Sequence, residues 1–244
     1  MNSFFIDVWE TFIPRPDARH GPLPPLLVGL TVVTGLVDAF SYLVLGHVFV
    51  ANMTGNVVFL GFALVGAHGF SIGASVVALV SFGLGALAGG EVGVRLRQDR
   101  GRQLTASVSG QAALLAVCVV LAAVSAQPVP GGFRYPLIIA LAVAMGMQNA
   151  TVRKLAVPDL ATTNVLTTTI TAMAADREDG RLQGWGAGRH FTSVVALFTG
   201  ALVGAALVLH VAMLLPLIAA LVLVAAIAVT ARLLGRPDAP WVAP

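Results

Sequence analysis

Eight apolar segments alternate with short polar connections along the chain, a pattern that predicts a protein built from membrane-spanning helices. A helix needs about 20 apolar residues to cross a hydrocarbon core of about 30 Å. Six of the segments approach or exceed that length with their flanks, whereas two are short. The segments lie at about 26–46, 54–68, 72–94, 104–126, 136–150, 164–175, 190–211 and 213–232.

The two short segments, 54–68 and 164–175, each follow a polar break. Ala51 to Asn56 reads ANMTGN, and Pro158 to Asn164 reads PDLATTN. Both stretches are rich in hydrogen-bonding groups. Irregular backbone is tolerated at membrane depth only inside protein or beside a water-filled cavity. We therefore interpret both short segments as re-entrant half-helices that return to the side from which they entered.

The distribution of basic residues supports this topology. If the short segments do not cross and the N-terminus is cytoplasmic, all but one of the 14 Lys and Arg residues are cytoplasmic. The exception is Arg134. If all the segments cross, the basic residues divide almost evenly between the two sides. Because cytoplasmic loops are enriched in Lys and Arg, we predict six spans with both termini cytoplasmic.

The chain also contains an internal repeat. The stretch Gly35–Ala39 matches Gly146–Ala150, the first polar break matches the second, and Phe82–Gly89 matches Leu197–Gly204. Each half holds three spans, an odd number, so the halves must be inverted in the membrane. The predicted fold is an all-α polytopic membrane protein, with six spans and two half-helices in an inverted 3+3 repeat. Inverted repeats with broken helices mark transport pathways near the bilayer midplane.

We divide the chain at the ends of these repeats. Residues 1–25 form a cytoplasmic N-terminal segment able to make an interfacial helix, in which Pro14, Pro16, Pro22, Pro24 and Pro25 are expected to stop any helix before the first span. Residues 26–126 form the first membrane repeat, 135–233 the second, inverted repeat, and 234–244 a cytoplasmic tail.

The composition is typical of an integral membrane protein. Hydrophobic residues make up 57% of the chain, charged residues 10%, and mean hydropathy is +0.90; soluble domains have about 25% charged residues. The net charge of +3 does not indicate nucleic-acid binding, because the arginines lie at segment ends. Cys118 is the single cysteine, and the histidines show no metal-ligand spacing. We predict no metal, no cofactor and no enzymatic activity.

Asp38 is the acidic residue that lies well inside a predicted span. Thr31, Thr34, Asp38 and Ser41 recur every three to four residues, so they form one polar stripe on a helix. An ionised carboxylate at mid-bilayer costs roughly 2.5–3.5 kcal/mol, which makes it a functional candidate. A lone carboxylate suits one coupled proton or cation. The alternative is a structural Asp that pairs with another helix.

We place the solute or ion pathway at the two breaks and at the polar residues related by the repeat. The start of a half-helix offers free N–H groups and a positive dipole end, which suit an anionic or carbonyl-bearing solute. Threonines that only bond to their own helix are the alternative. The predicted pathway residues are Asp38, Asn52, Thr54, Asn56, Gln148, Asn149, Thr163, Asn164 and Thr167.

Two runs of small residues predict close helix packing rather than ligand contact, since they let helix backbones approach. Their glycines are Gly85, Gly89, Gly200 and Gly204. Glu91 lies one helical turn before Arg95, so we expect a salt bridge between them.

The breaks and their flanks resemble a known family. TGLVDAFSYLVLGHVFVANMTGN at 34–56 and GMQNATVRKLAVPDLATTNVLTTT at 146–169 are similar to motifs of the YoaK-type family of uncharacterised bacterial transmembrane proteins. The resemblance covers about 26–233. It implies a bacterial inner-membrane protein with about six spans, and it supplies no substrate or activity.

We predict a small secondary transporter for a small polar or anionic solute, with or without a coupled proton. An aquaporin-like channel is one alternative, because it also combines six spans with two inverted half-helices. A non-transporting membrane sensor or assembly factor is another. The expected partners are the lipid bilayer, the solute and a proton; both a monomer and a homo-oligomer stay open, and no nucleic acid is expected.

Overall fold

The computed structural model describes most of the chain. The described residues are 3–13, 20–125, 129–155, 177–178, 181–182, 187–235 and 241–242. They form eight helices and one short two-stranded ribbon, in which β1 (Arg177–Glu178) pairs antiparallel with β2 (Arg181–Leu182). The helices are α1 (Ser3–Phe12), α2 (Leu23–Val44), α3 (Met53–Leu64), α4 (Ile72–Arg95), α5 (Arg100–Val124), α6 (Gly131–Leu155), α7 (Ala187–His210) and α8 (Leu215–Leu234).

Six of these helices are long and apolar enough to cross a membrane, which confirms the predicted polytopic membrane protein with six spans. They contain 20 to 25 residues each, or about 30–37 Å at 1.5 Å per residue. The exception among the apolar helices is α3. Its 12 residues extend only about 18 Å, too short to cross a hydrocarbon core of about 30 Å.

The path of the chain around α3 returns to its starting level. The Nδ1 atom of His47, just after α2, lies 3.0 Å from the carbonyl oxygen of Gly69, just before α4. Between these two residues the chain dips beside α2, forms α3 and comes back. This geometry agrees with a re-entrant first half-helix, and we call residues 47–69 the re-entrant segment. The predicted second half-helix at 164–175 lies outside the described residues.

The start of α2 differs from the prediction. The span was predicted to begin at about residue 26, whereas α2 begins at Leu23 and carries Pro24 and Pro25 in its first turn. Prolines are tolerated there, because the first-turn N–H groups have no helical partner. The preceding described helix, α1, ends at Phe12, which agrees with the expectation that the prolines stop any helix before the first span. Side chains cap two other spans: Ser71 accepts from the Ala74 amide at the start of α4, and Asp99 accepts from the Arg102 amide at the start of α5.

The helix α2 crosses α7 at very close range, with the two helices running in the same direction. A Cβ atom added at Gly35 of α2 would overlap the backbone of Leu197, and one at Gly200 of α7 would overlap the backbone of Val32. These contacts lie on successive turns of both helices. Such an approach is open only to residues without side chains, as in other membrane helix pairs.

The helices α4 and α6 make a second crossing of the same kind, also parallel. A Cβ atom at Gly146 of α6 would overlap the carbonyl group of Phe82, and one at Gly85 of α4 would overlap the backbone of Val143. The α4–α6 pair runs opposite to the α2–α7 pair, because the start of α6 lies beside the end of α2, where Arg134 donates to the Gly46 carbonyl.

Two further helices complete the bundle around α2. The α5 helix packs on α6, α8 packs on α2, and α5 and α8 pack on each other. The α2 helix is the central one: 67% of its most hydrophobic 18-residue window is buried, against 22–56% in the other spans. The other spans carry exposed large apolar side chains, as expected where helices face lipid rather than water.

The two ends of the chain lie against this bundle. The N-terminal α1 packs on α7 and α2, and it exposes the large apolar residues Trp9 and Phe12. At the other end, Trp241 is buried against Gly21, where an added Cβ atom would lie 2.6 Å from the indole. The backbone of Val242 accepts a hydrogen bond from the Arg100 amide. The described part of the predicted tail therefore packs on the start of α5.

We expect Gly146→Ala to destabilise the fold by about 1–3 kcal/mol, because the new methyl group overlaps the Phe82 carbonyl and forces α4 and α6 apart. The matched control is Gly83→Ala on α4, where nothing lies within 4 Å of an added Cβ atom. The control should be neutral or slightly stabilising, since alanine is the better helix former. Thermal unfolding of the purified variants in detergent measures both. Equal stability of the two variants would contradict the close crossing.

Candidate functional site

Asp38 binds the backbone of the segment that links α2 to α3. Its Oδ1 atom accepts hydrogen bonds from the amides of Val50 at 3.0 Å and Ala51 at 2.8 Å. The side chain is buried, with 7% of its surface exposed. Hydrogen bonds to a carboxylate are among the strongest in proteins, and this pair offsets part of the cost of placing a charge in the membrane.

The carboxylate also lies at the start of α3. The N-cap of that helix is Asn52, next to the two amides that Asp38 binds, and its own side chain makes no capping bond. The N-terminal end of a helix carries the positive end of its dipole. Asp38 therefore occupies the position that we expected for an anionic group of the solute. In this structure the anion at the half-helix is a residue of the chain itself.

Asn56 binds the same connecting segment from the α3 side. Its Oδ1 atom accepts from the Phe49 amide at 2.9 Å, and its Nδ2 atom donates to the Phe49 carbonyl at 2.6 Å. The side chain is fully buried. Asn56 thus satisfies both backbone groups of Phe49 where no helix or sheet does so. Of the other predicted residues here, Asn52 is half-buried and Thr54 is exposed.

The turn after α2 needs unusual backbone angles. Gly46 has φ of +84° and His47 has φ of +56°, which is rare for a residue with a side chain. The His47 ring packs edge-on against Tyr42, with ring centroids 5.1 Å apart. Tyr42 in turn stacks on Phe49. These contacts, together with the bond to Gly69, hold His47 in a structural role at the outer edge of the re-entrant segment.

Gln148 joins three helices through its side-chain amide. Its Nε2 atom donates to Thr34 Oγ1 at 2.9 Å and to the Leu30 carbonyl at 3.2 Å, both on α2. Its Oε1 atom accepts from Gln111 Nε2 on α5. All of these groups are buried, where lipid offers no hydrogen-bond partner. The bonds to Gln148 supply the partners that these groups need. The predicted pathway residue Gln148 therefore links the first span of each proposed repeat.

A polar face of α5 was not among the sequence predictions. Gln103, Ser107 and Gln111 are spaced four residues apart and all face the interior. Ser107 accepts a hydrogen bond from Thr151 of α6 at 2.7 Å. The Nε2 atom of Gln103 and the Oε1 atom of Gln111 are buried without a partner in the described part of the chain. Their i, i+4, i+8 spacing indicates a polar stripe along one side of the helix, although it does not show which neighbour the stripe faces.

A small cavity lies between α2, α6 and the re-entrant segment. Its volume is about 20 Å³, enough for about one water molecule. Polar groups line it on two sides: Thr31 and Thr34 from α2, and Gln148 and Asn149 from α6. Ala51 closes it from the side of the re-entrant segment. Since Asp38 holds the Ala51 amide, one residue connects the charged group to the cavity.

Three hydroxyl groups of the predicted polar stripe donate hydrogen bonds within α2 itself. Thr31 and Thr34 donate to carbonyl groups four residues earlier in α2, and Ser41 donates to the Asp38 carbonyl. The donors of Thr31 and Thr34 are therefore used within α2. The self-bonding alternative concerned the threonines of the half-helices, of which Thr163 and Thr167 lie outside the described residues. Thr34 still accepts from Gln148, so its hydroxyl serves both helices.

The remaining predicted residues lie elsewhere. Thr163, Asn164 and Thr167 are outside the described residues. The glycines predicted for packing lie at the two close crossings: besides the contacts of Gly85 and Gly200, Gly89 faces Met147, and Gly204 faces Leu36 and Ala39.

A pair of oppositely charged residues lies at the end of α4. Arg95 Nε contacts Glu91 Oε1 at 2.8 Å, which confirms the expected salt bridge. Both side chains are largely exposed. Within the described ranges, no three His, Cys, Asp or Glu residues come together as metal ligands would.

We expect Gln148→Leu to destabilise the protein by about 1–3 kcal/mol, because it leaves the buried Gln111 amide without its partner on α6. The double variant Gln111→Leu/Gln148→Leu should cost clearly less than the sum of the two single variants, since both polar partners are then removed. Unfolding free energies in mixed micelles measure this cycle. Strictly additive effects would show that the two glutamines are not coupled.

Comparison with known proteins identifies a bacterial relative and a matching family model. The chain is 35% identical over 153 residues to the UPF0700 transmembrane protein YoaK of Bacillus subtilis (strain 168), an alignment that covers 62% of this chain. The chain spans 65% of the length of that curated relative. No solved structure matches. The model of a family described as a protein of unknown function, DUF1275, matches residues 26–230, so the chain belongs to the DUF1275 family.

Proposed function

We propose that the protein is a small proton-coupled secondary transporter for a small polar or anionic solute, with the solute bound between α2 and α6. One observation carries this proposal. Ala51 closes the polar cavity, and its amide is held by Asp38, the one described acidic residue buried within a span. A titratable group and a small cavity with a polar lining are thus coupled through a single segment of backbone.

The coupling follows from the chemistry of the carboxylate. While Asp38 is ionised, it accepts strong hydrogen bonds from Val50 and Ala51 and keeps the re-entrant segment over the cavity. Protonation removes the charge of Asp38 and weakens both hydrogen bonds. It also adds an O–H group, for which the two amides offer no acceptor. The segment is then free to move, and the cavity widens towards the side of Gly46 and Gly69.

An inverted repeat supports a transport function, and the helix crossings support the repeat. Gly35 corresponds to Gly146 in the sequence repeat, and the carbonyl groups they approach belong to Leu197 and Phe82, which also correspond.

The reverse contacts follow the same correspondence. Gly200 approaches Val32, and Gly85 approaches Val143. The first span of each half therefore packs on the second span of the other half, and the two pairs run in opposite directions. In transporters with this organisation, the site lies where the halves meet, and here α2 and α6 meet at the cavity.

The two halves differ at one informative position. Asp38 in α2 corresponds to Asn149 in α6, and Asn149 lines the cavity. A neutral amide binds a polar solute without a net charge of its own, whereas the carboxylate responds to protons. We propose that the two positions divide these tasks, solute contact at Asn149 and proton binding at Asp38.

We further propose an inner-membrane location in a bacterium, with both termini in the cytoplasm and no catalytic role. The support is the distribution of basic residues at the span ends. Arg95, Arg100, Arg153 and Arg232 lie at ends of spans on one side of the bundle, and Arg134 lies at the other, beside Gly46. Positive charge concentrates on the cytoplasmic side of membrane proteins.

The channel and sensor alternatives predict different fluxes. A transporter saturates and couples to the proton gradient, whereas an aquaporin-like channel only follows the gradient of its solute. A sensor or assembly factor moves nothing. Solute flux into proteoliposomes, measured with and without a proton gradient, distinguishes all three.

Topology gives the first test of this proposal. Reporter fusions at Arg100 and Arg181 should read cytoplasmic, and a fusion at Gly131 should read periplasmic, because α5 and α6 begin at opposite ends of the bundle. A fusion at Gly69 should also read periplasmic, since Gly69 contacts His47, which follows the end of α2 that lies beside the start of α6. A cytoplasmic signal at Gly69 would show that α3 crosses the membrane.

Asp38→Asn gives the second test. Asparagine has nearly the same shape and keeps an oxygen acceptor for the Val50 and Ala51 amides, but it cannot bind a coupled proton. We expect the variant to fold, to lose proton-driven uptake and to retain counterflow, the exchange of labelled for unlabelled solute.

The assay uses proteoliposomes that contain a pH-sensitive dye, screened with a panel of small neutral and anionic solutes. The matched control is Glu91→Gln, which removes an exposed carboxylate near the end of α4 and leaves the re-entrant segment unchanged. That control should keep uptake coupled to the proton gradient. Intact proton-driven uptake in Asp38→Asn would rule out the coupling role.

A further inference from the structure

A second cleft lies far from Asp38, where α5 begins and α8 ends. Its volume is about 610 Å³, much larger than the central cavity. Arg102 and Thr105 line it from α5, and Arg232 lines it from the last turn of α8. The helices approach closely at its base, where a Cβ atom on Gly101 would lie 3.1 Å from the Cα atom of Gly235.

The lining of the cleft carries a net positive charge, from Arg102 and Arg232. Among the described residues, Arg232 pairs with no carboxylate. Arg102 has one weak partner, Asp99, with 3.9 Å between Nε and Oδ2, and its side chain is 77% exposed. Arg97 lines an adjoining cleft that shares Arg102, and it also lacks an acidic partner in the described part of the chain.

Thr105 adds a hydrogen-bond donor that faces the cleft. Other hydroxyl groups in these helices, such as those of Thr34, Thr192 and Thr230, donate to the carbonyl four residues earlier. Thr105 makes no such bond within the described residues, although it is half-buried in a helix. Its hydroxyl is therefore available to a ligand in the cleft.

We propose that this cleft binds the headgroup of an anionic phospholipid. The position fits, because the cleft lies at the ends of spanning helices, where the phosphate layer of a bilayer lies. The chemistry also fits: guanidinium groups bind phosphate oxygens in a bidentate manner, and the threonine hydroxyl completes the set. Leu96, Ala106 and Ala231 supply apolar surface below the charged groups for the start of an acyl chain. This inference is independent of the transport function.

The test titrates purified full-length protein in a neutral detergent with phosphatidylglycerol, phosphatidylcholine or inorganic phosphate. The readouts are the thermal unfolding midpoint and the lipid retained in native mass spectrometry. We expect a saturable stabilisation by phosphatidylglycerol only. Arg102→Gln and Arg232→Gln should each weaken its apparent affinity by about fivefold, the effect of one basic residue near an anionic lipid.

Matched controls separate a defined site from general attraction to the basic end of the bundle. Arg153→Gln removes an exposed charge at the same end but outside the cleft, and Thr230→Val removes a hydroxyl that already bonds to Ala226. Both should bind phosphatidylglycerol as the unmodified protein does, whereas Thr105→Val should bind it more weakly. Arg102→Lys and Arg232→Lys, which keep the charge and lose the planar fork, should bind with intermediate affinity.

Three results would overturn the proposal. Equal loss of affinity in Arg153→Gln and Arg232→Gln would show diffuse electrostatic attraction instead of a site. Equal binding of phosphatidylcholine would remove the requirement for an anionic headgroup. Saturation by inorganic phosphate at the same concentration as by phosphatidylglycerol would assign the cleft to a free phosphate-bearing solute.

Discussion

The re-entrant segment depends on two hydrogen bonds, which the amides of Val50 and Ala51 donate to the Asp38 carboxylate. The last amides that bond back to α2 are those of Leu45 and His47, and the backbone beyond them has no helical hydrogen bonds until α3 begins. Lipid offers no partners, so each unpaired amide would cost several kcal/mol. A carboxylate satisfies two of them at once, and the amides in turn stabilise its charge.

The same constraint explains Asn56, which satisfies the backbone of Phe49 with both of its polar atoms. Together, Asp38 and Asn56 stabilise both sides of an irregular stretch that could not otherwise exist at membrane depth. The segment is therefore held by a few strong polar bonds in addition to the apolar packing of Val48, Phe49 and Val50.

Close helix approach is the second constraint, and it places the cavity. Lipid tails are as apolar as leucine, so membrane helices associate through backbone proximity and buried polar bonds rather than through the hydrophobic effect. The glycine crossings draw α2 onto α7 and α6 onto α4. The amide of Gln148 then connects α6 to α2 and α5. The polar residues of α2 and α6 therefore meet in the middle of the bundle. The short helix α3, in contrast, carries only one buried residue.

Much of this architecture follows from residue order. Length and hydropathy were enough for six spans, because crossing a bilayer imposes one length on every helix. Asp38 was visible because a charge is rare in an apolar helix, and the glycine runs were visible because small residues spaced four apart mark close helix packing. The partners of these residues were not visible. A carboxylate that binds backbone amides twelve and thirteen residues later leaves no side-chain pattern, since every residue type carries an amide. The direction of the Gln103–Ser107–Gln111 face was likewise set by which helix packs against α5, and local spacing carries no such information.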